Sequence, residues 1–337
     1  MLNPVQNIYY WIQLLGITMN ALDSLRSMTT VVSDTGDIKQ IEKYKPQEAT
    51  TNPSLILQSA QNPEYAHFID DAILYGKKIG GSKEKQVSTS LDEVFILFAK
   101  EITKIIPGRV SVEVDARLSF DIEGSIAKAV YLIERFEANG IPKERILIKL
   151  ASTWEGLKAA EELEKRGIHC NMTLLFSLSQ ALGAHFVNAT LISPFVGRIL
   201  DWYKKHEGKS DYPAEQDPGV LSVKELYSVL KGMGSKVQIM GASFRNAGEI
   251  EQLAGCDFLT IAPKFLEELS NKKGTLDRKL SPAQNSKNPS TSYKALREKE
   301  FRFELNENAM ASEKLSEGIR LFSEDIRKLQ KILEDRI

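Results

Sequence analysis

Residues 145–167 read RILIKLASTWEGLKAAEELEKRG. The opening Ile146-Leu147-Ile148 is short, apolar and β-branched, the composition of a buried strand. From Thr153 to Arg166 the apolar spacing becomes that of an amphipathic helix, and Gly167 just past its end is a C-cap signal. A strand followed by a helix is one βα unit, and the same alternation recurs on both sides. Short apolar runs occur at Thr30-Val31-Val32, Ala49-Thr50-Thr51 and Val110 to Val114 before it. After it come Cys170 to Leu174, Leu191-Ile192, Val237 to Met240 and Phe258 to Ile261. Helical stretches lie between them, such as Ser125 to Asn139 ended by Gly140. Eight strands alternating with helices in 337 residues predict an α/β fold, a (β/α)8 TIM barrel. A doubly wound sheet competes, but no glycine-rich fingerprint follows the first strand.

The remaining segments frame this repeat. Residues 1–19 hold an apolar run from Ile8 to Ile17, with no Lys or Arg before it and too short to span a bilayer. They read as an N-terminal extension, with Met19 as a working start. Residues 20–337 then form a single catalytic barrel domain. It includes a polar loop at 274–298, rich in Ser, Lys and Asn, and a C-terminal helix over about 309–335. In that helix Leu315, Ile319, Phe322, Ile326, Leu329 and Leu333 form one apolar stripe. The stripe predicts packing across the barrel exterior or its mouth; a coiled-coil homodimer is the alternative.

With 44 basic and 45 acidic residues the net charge is −1, which excludes a nucleic-acid partner or a membrane surface recognised by bulk charge. Two cysteines, Cys170 and Cys256, cannot build a disulfide scaffold, and four scattered histidines make no metal cluster. No metal or cofactor is expected, and the compartment is read as cytoplasmic.

In a barrel of this kind the strand ends carry the chemistry. Strand one ends in Asp34, strand two in Asn52, strand three carries Glu113 and Asp115, and strand four carries Lys149. Strand five brings Asn171 and Thr173, strand six Ser193, and strand seven runs into Ser243 and Arg245. Lys149 stands out, because burying a lysine in an apolar strand is costly unless it is paired or neutral. Desolvation or a cationic neighbour can free an amine for attack on a carbonyl. Alternatively, its end reaches solvent or pairs with Glu113 or Asp34. The two carboxylates suit the proton transfers around an imine, or are salt bridges at the rim. Arg198 and Arg245 offer guanidinium forks of the kind that hold a phosphate. Asp34-Thr35-Gly36 has no second copy, so an aspartic-protease pair is excluded.

At these residues the sequence resembles the transaldolase family. The resemblance is carried by VVSDTGD (31–37), ATTNPSLIL (49–57), VEVDARLSFD (112–121), RILIKLASTWEG (145–156), CNMTLLFS (170–177), LISPFVGRILDWY (191–203) and MGASFRNAGEI (240–250). It implies a metal-free barrel enzyme of the non-oxidative pentose phosphate pathway. Such an enzyme moves a dihydroxyacetone unit from sedoheptulose 7-phosphate or fructose 6-phosphate to glyceraldehyde 3-phosphate or erythrose 4-phosphate. Carried over by motif, Lys149 is the Schiff-base lysine and Asp34 the acid/base at the C4 hydroxyl. Glu113 and Thr173 position the water of imine formation. Asn52 and Asn171 bind the dihydroxyacetone hydroxyls, with Ser193 beside them and Phe195 a further substrate-binding residue, and Arg198, Ser243 and Arg245 hold the phosphate.

Related fructose 6-phosphate aldolases carry Gln where Glu113 falls and Tyr where Phe195 falls, so both positions here read as transferase. One segment departs from the family. After CNMTLLFS this chain has Leu178 to Thr190, with bulky His185-Phe186 and no glycine before strand six. Asn188 is therefore expected to take a glycine-like backbone conformation. This segment and residues 1–19 motivate the competing reading, a catalytically weak barrel serving as a scaffold.

Overall fold

The computed structural model describes residues 19–282 and 293–337. The expected extension over residues 1–19 lies, but for Met19, outside the described residues, as does the middle of the polar segment.

Eight parallel strands close into a barrel in sequence order. They are β1 (Thr30–Asp34), β2 (Glu48–Thr50), β3 (Val110–Glu113), β4 (Ile146–Ala151), β5 (Cys170–Leu175), β6 (Leu191–Pro194), β7 (Gln238–Gly241) and β8 (Phe258–Ile261). β1 pairs with β8, so no strand edge is left open. All eight apolar runs of the sequence are strands. Strand two differs in detail: Asn52 lies past its end, as the N-cap of the helix Pro53–Ala60.

Side chains alternate across each strand, and the two faces bury different partners. Outward-facing Val31, Val112, Ile146, Ile148, Met172, Ile192, Ile239 and Leu259 join one large cluster beneath the helices. Inward-facing Val32, Leu147, Leu191 and Met240 form a separate apolar layer inside the barrel. Below it, Arg109 donates to Glu48 (2.7 Å) and to Gln238 (2.8 Å), closing the barrel floor with a polar network. The next inward positions above the apolar layer are polar, and they form the site.

The expected helices are present. Trp154–Lys165 is capped by Thr153, whose hydroxyl accepts from Gly156 N–H at 2.9 Å. Ile122–Ala138 ends at Asn139 and is followed by Gly140 at φ 78°. The helix Ala309–Glu334 buries Leu315, Ile319, Phe322, Ile326, Leu329 and Leu333, the stripe read from the sequence. It lies over the mouth, against the helices Pro53–Ala60 and Lys83–Ile105 and against β5. The stripe is thus covered by the chain's own barrel, which removes the coiled-coil alternative. A further helix, Glu298–Glu307, precedes it. It buries only Phe301, so it offers no apolar period to read in advance. Among the described residues, no helix is long and apolar enough to cross a membrane.

Candidate active site

Register assembles the site. Asp34 lies opposite Thr50, Glu113 opposite Lys149, and Lys149 opposite Asn171 on the neighbouring strands. All of these sit on the inward face, one layer above Leu147 and Val32. The apolar layer shields them from below, and the helix Ala309–Glu334 covers them from above. Ionisable groups therefore sit where solvent is scarce.

Lys149 is 4% exposed. Its Nζ donates to the Thr51 carbonyl at 3.0 Å and lies 3.4 Å from Glu113 Oε2. Both readings of the sequence therefore meet in one residue: the amine is buried, and it is paired. Burial pushes the Glu113 carboxyl above its usual range, and the charge of Lys149 pulls it part of the way back. Asp34 is raised for the same first reason, opposed by Lys149, by the Thr50 hydroxyl and by Arg198. The Thr50 hydroxyl donates to Asp34 Oδ1 at 2.8 Å and lies 2.6 Å from the Thr260 hydroxyl. Two carboxyls that burial makes harder to ionise, set beside a buried amine, are placed to take up and return protons.

The amide of Asn171 is locked between two hydroxyls. It donates to Ser111 Oγ at 3.1 Å and accepts from Ser193 Oγ at 2.7 Å. Thr173, the next inward residue of β5, is fully buried, and its Oγ1 has no hydrogen-bond partner among the described residues. Asn52 lines the cavity while its Oδ1 accepts from Leu55 N–H at 3.0 Å, so the cap fixes the side chain.

Arg198 is held between two rings, with its guanidinium 5.0 Å from the Phe195 centroid and 5.3 Å from that of Phe322. Its Nη1 is buried and makes no hydrogen bond among the described residues. Burial and the nearby Arg245 charge lower its pKa. A desolvated guanidinium with an unpaired donor is a strong attractor for an oxyanion. Ser243 adopts a left-handed backbone (φ 62°), and its carbonyl accepts from Gly197 N–H at 2.9 Å. Arg245 stands at the rim, outside the lining, in a two-pronged ion pair with Asp201 (2.7 and 3.0 Å) and 3.4 Å from Ser243 Oγ.

One cavity is lined by Asp34, Asn52, Lys149, Ser193, Phe195, Arg198 and Ser243 together. Thr50, Thr260 and Phe322 line it too and were not singled out in the sequence. Nothing in the sequence sets Thr50 apart, since it faces Asp34 only through the β1–β2 register, and Phe322 stands there only as one member of the apolar stripe. Asp115 turns away from the site. It caps Arg117 N–H at 2.9 Å and pairs with the Arg117 guanidinium. In the atypical segment the helix Leu178–Phe186 starts with a capping box between Ser177 and Gln180, and Asn188 takes φ 57°, as expected. Gln180 Nε2 also ties the carbonyls of Ser152 (2.9 Å) and Leu174 (3.1 Å). The unusual sequence thus packs without disturbing Thr173 or Ser193.

The transaldolase/fructose-6-phosphate aldolase profile matches residues 31–333. The chain belongs to this family. A transaldolase of Protochlamydia amoebophila is 57% identical over 314 residues, 93% of this chain and 97% of its own length. The transaldolase of Rattus norvegicus is 54% identical over 94% of both chains. That of Saccharomyces cerevisiae is 53% identical over 95% of this chain and 96% of its own. With likeness of this degree over nearly full length, the chain is an enzyme with transaldolase function.

Proposed function

We propose that this enzyme transfers dihydroxyacetone through an imine on Lys149. The donor is sedoheptulose 7-phosphate or fructose 6-phosphate, and the acceptor is glyceraldehyde 3-phosphate or erythrose 4-phosphate. The observation that carries the reading is the buried Lys149 Nζ, 3.4 Å from Glu113, in one cavity with Asp34. The amine adds to the donor C2 carbonyl, and the carbinolamine loses water to give an iminium. Glu113, with Thr173, handles the water and its protons. Asp34 takes the C4 hydroxyl proton as the C3–C4 bond breaks. The electron pair moves into the iminium to give an enamine, and the aldose leaves as an aldehyde. The enamine carbon then attacks the acceptor aldehyde, Asp34 returns the proton, and water releases the product. The protonated imine is the electron sink, so the cycle runs without a metal.

Asn52, Asn171 and Ser193 hold the dihydroxyacetone hydroxyls beside Phe195. Arg198, Ser243 and Arg245 take the phosphate. The unpaired Arg198 Nη1 supports this, since a phosphate oxygen satisfies it. Glu113 and Phe195 favour transfer over simple aldol cleavage. The same reading makes residues 20–337 a single catalytic domain in a cytoplasmic setting, which suits the two free buried cysteines, and pairs two copies as a homodimer to be tested by light scattering.

The test is borohydride trapping with fructose 6-phosphate and peptide mapping, with turnover measured with and without erythrose 4-phosphate. A reduced three-carbon adduct on Lys149, with turnover that needs the acceptor, is expected. An adduct with acceptor-independent release of dihydroxyacetone overturns the transferase reading. Absence of an adduct in a folded protein overturns the imine.

A further inference from the structure

A second buried acid pair lies behind the phosphate end of the cavity. Glu249 is fully buried and Asp217 is 2% exposed. Glu249 Oε2 accepts from Arg245 N–H at 2.6 Å. Its Oε1 is also buried, and no N–H or hydroxyl among the described residues reaches it. The Asp217 carboxyl is the neighbouring side chain that acts on Glu249 and is acted on by it. Two buried carboxyls in contact cannot both ionise, so the pair holds a proton. Asp217 Oδ1 already accepts from Gly219 N–H (2.8 Å) and Val220 N–H (3.2 Å) at the start of the helix Pro218–Gly232. Both carboxyls accept backbone N–H groups, and it is the deeper burial of Glu249 that leaves the proton on its side. Burial pushes the Glu249 carboxyl up to about 8.

The pair is mechanically linked to the turn that carries Ser243 and Arg245. At Gly219 an added Cβ would stand 2.1 Å from the Val196 carbonyl oxygen, so the Asp217-capped helix start presses directly on that backbone. The next residue, Gly197, donates its N–H to the Ser243 carbonyl. Glu249 holds the far end of the same turn at Arg245 N–H. The turn needs such holding, because Ser243 is in the left-handed region that disfavours a side chain.

We propose that Glu249, sharing a proton with Asp217, is a positioning residue for the phosphate end of the substrate: it fixes the Ser243–Arg245 turn from behind. This rests on the reading of Ser243 and Arg245 as part of the phosphate site. While the proton is present, one carboxyl anchors the turn and the other anchors the helix start, and a single bond joins them. Above pH 8 the proton leaves, the two carboxylates repel, and the turn loosens. The charged groups around the pair are Arg245, ion-paired with Asp201 at the rim, and Asp211, whose charge acts on Asp217. Glu251, on the same short helix as Glu249, pairs with Lys272. Glu249→Gln leaves all of these in place and replaces the shared proton by an amide N–H that does not titrate.

The experiment measures KM for fructose 6-phosphate and for unphosphorylated fructose between pH 7 and 9.5. Wild type, Glu249→Gln, Glu249→Ala and Arg245→Ala are compared. For wild type, KM for the phosphorylated donor rises about tenfold above pH 8, the worth of one charge-assisted hydrogen bond, while KM for fructose does not. Glu249→Gln keeps a flat profile. Glu249→Ala raises KM for the phosphorylated donor at pH 7 by a similar factor and leaves kcat and KM on fructose unchanged. Identical profiles for wild type and Glu249→Gln overturn the proposal, and so does an equal effect of Glu249→Ala on both donors. Should Glu249→Ala fail to fold, the comparison of wild type with Glu249→Gln decides alone. Arg245→Ala separates the two levels. If it spares the phosphorylated donor, the phosphate reading itself falls, and this inference with it. If it discriminates between the donors and the Glu249 variants do not, only the inference falls.

Discussion

Replacing Gly318 by alanine tests how tightly the helix over the mouth is fitted to the site. Gly318 lies in the middle of Ala309–Glu334, where a glycine costs about 1 kcal/mol relative to alanine. From helix propensity alone the substitution stabilises. The added Cβ, however, would stand 2.6 Å from Leu174 Cδ2 and 3.1 Å from Arg198 Nη1. Leu174 cannot easily retreat: it is fully buried, at φ 51°, where the β5–β6 register shifts. Overpacking of this kind costs about 1–3 kcal/mol, so a net loss of about 1 kcal/mol is expected. The helix relieves the contact by lifting a few tenths of an ångström, and Phe322 and Arg198 move with it. Since a displacement of about 1 Å can cost about 100-fold in turnover, a rise of roughly 3–10-fold in KM for fructose 6-phosphate is the expected functional effect. Urea unfolding monitored by tryptophan fluorescence and steady-state kinetics read the two quantities. A midpoint raised by the equivalent of about 1 kcal/mol, with KM unchanged, would refute the reasoning, because it would mean that glycine there serves no close approach.

Three further outcomes follow from the same geometry. Glu113 binds its proton more tightly in the folded chain than unfolded, so stability falls as pH rises from the ordinary carboxylate value through the raised one. Glu113→Gln should shrink the drop in Tm between pH 5 and 8, and an unchanged drop assigns that slope to other groups. Thr50→Val removes the hydroxyl that holds Asp34 down, so the acid limb of the kcat profile should move to higher pH and turnover should fall about tenfold. An unshifted limb would detach Asp34 from the rate. Asn188→Ala should cost about 1 kcal/mol and Asn188→Gly almost nothing, because only the former puts an unassisted Cβ in the left-handed region. Equal denaturation midpoints for the two would show that the turn relaxes.

The barrel was legible because its signals are local. Eight short β-branched runs and glycine-ended amphipathic stretches need no knowledge of what lies across the chain. The polar residues of the site were legible for a related reason: a lysine within ILIKLAS and a carboxylate at a strand end break the apolar pattern where they stand. What the sequence hid depends on tertiary neighbours. Thr50 and Thr260 look like ordinary strand residues until the barrel closes and brings their hydroxyls to 2.6 Å. Phe322 belongs to an apolar stripe, and nothing in the stripe says that this ring lies against a guanidinium. Glu249 is one acid among 45 acidic residues, and only its burial beside Asp217 sets it apart. The helix Glu298–Glu307 was missed because one buried side chain makes no period.

The helix across the mouth also bears on how the enzyme is made. A ribosome completes all eight strands, with Asp34 and Lys149 among them, before it reaches Gly318 and Phe322. The nascent barrel therefore passes through a stage in which its lysine lies open on one side, with Arg198 lacking half of its aromatic clamp. Translation at about 5–20 residues per second makes that stage last seconds. Folding of the downstream helix ends it, so the closed cavity appears only once that helix has been made, and a chain cut short before it would yield a barrel with Lys149 uncovered.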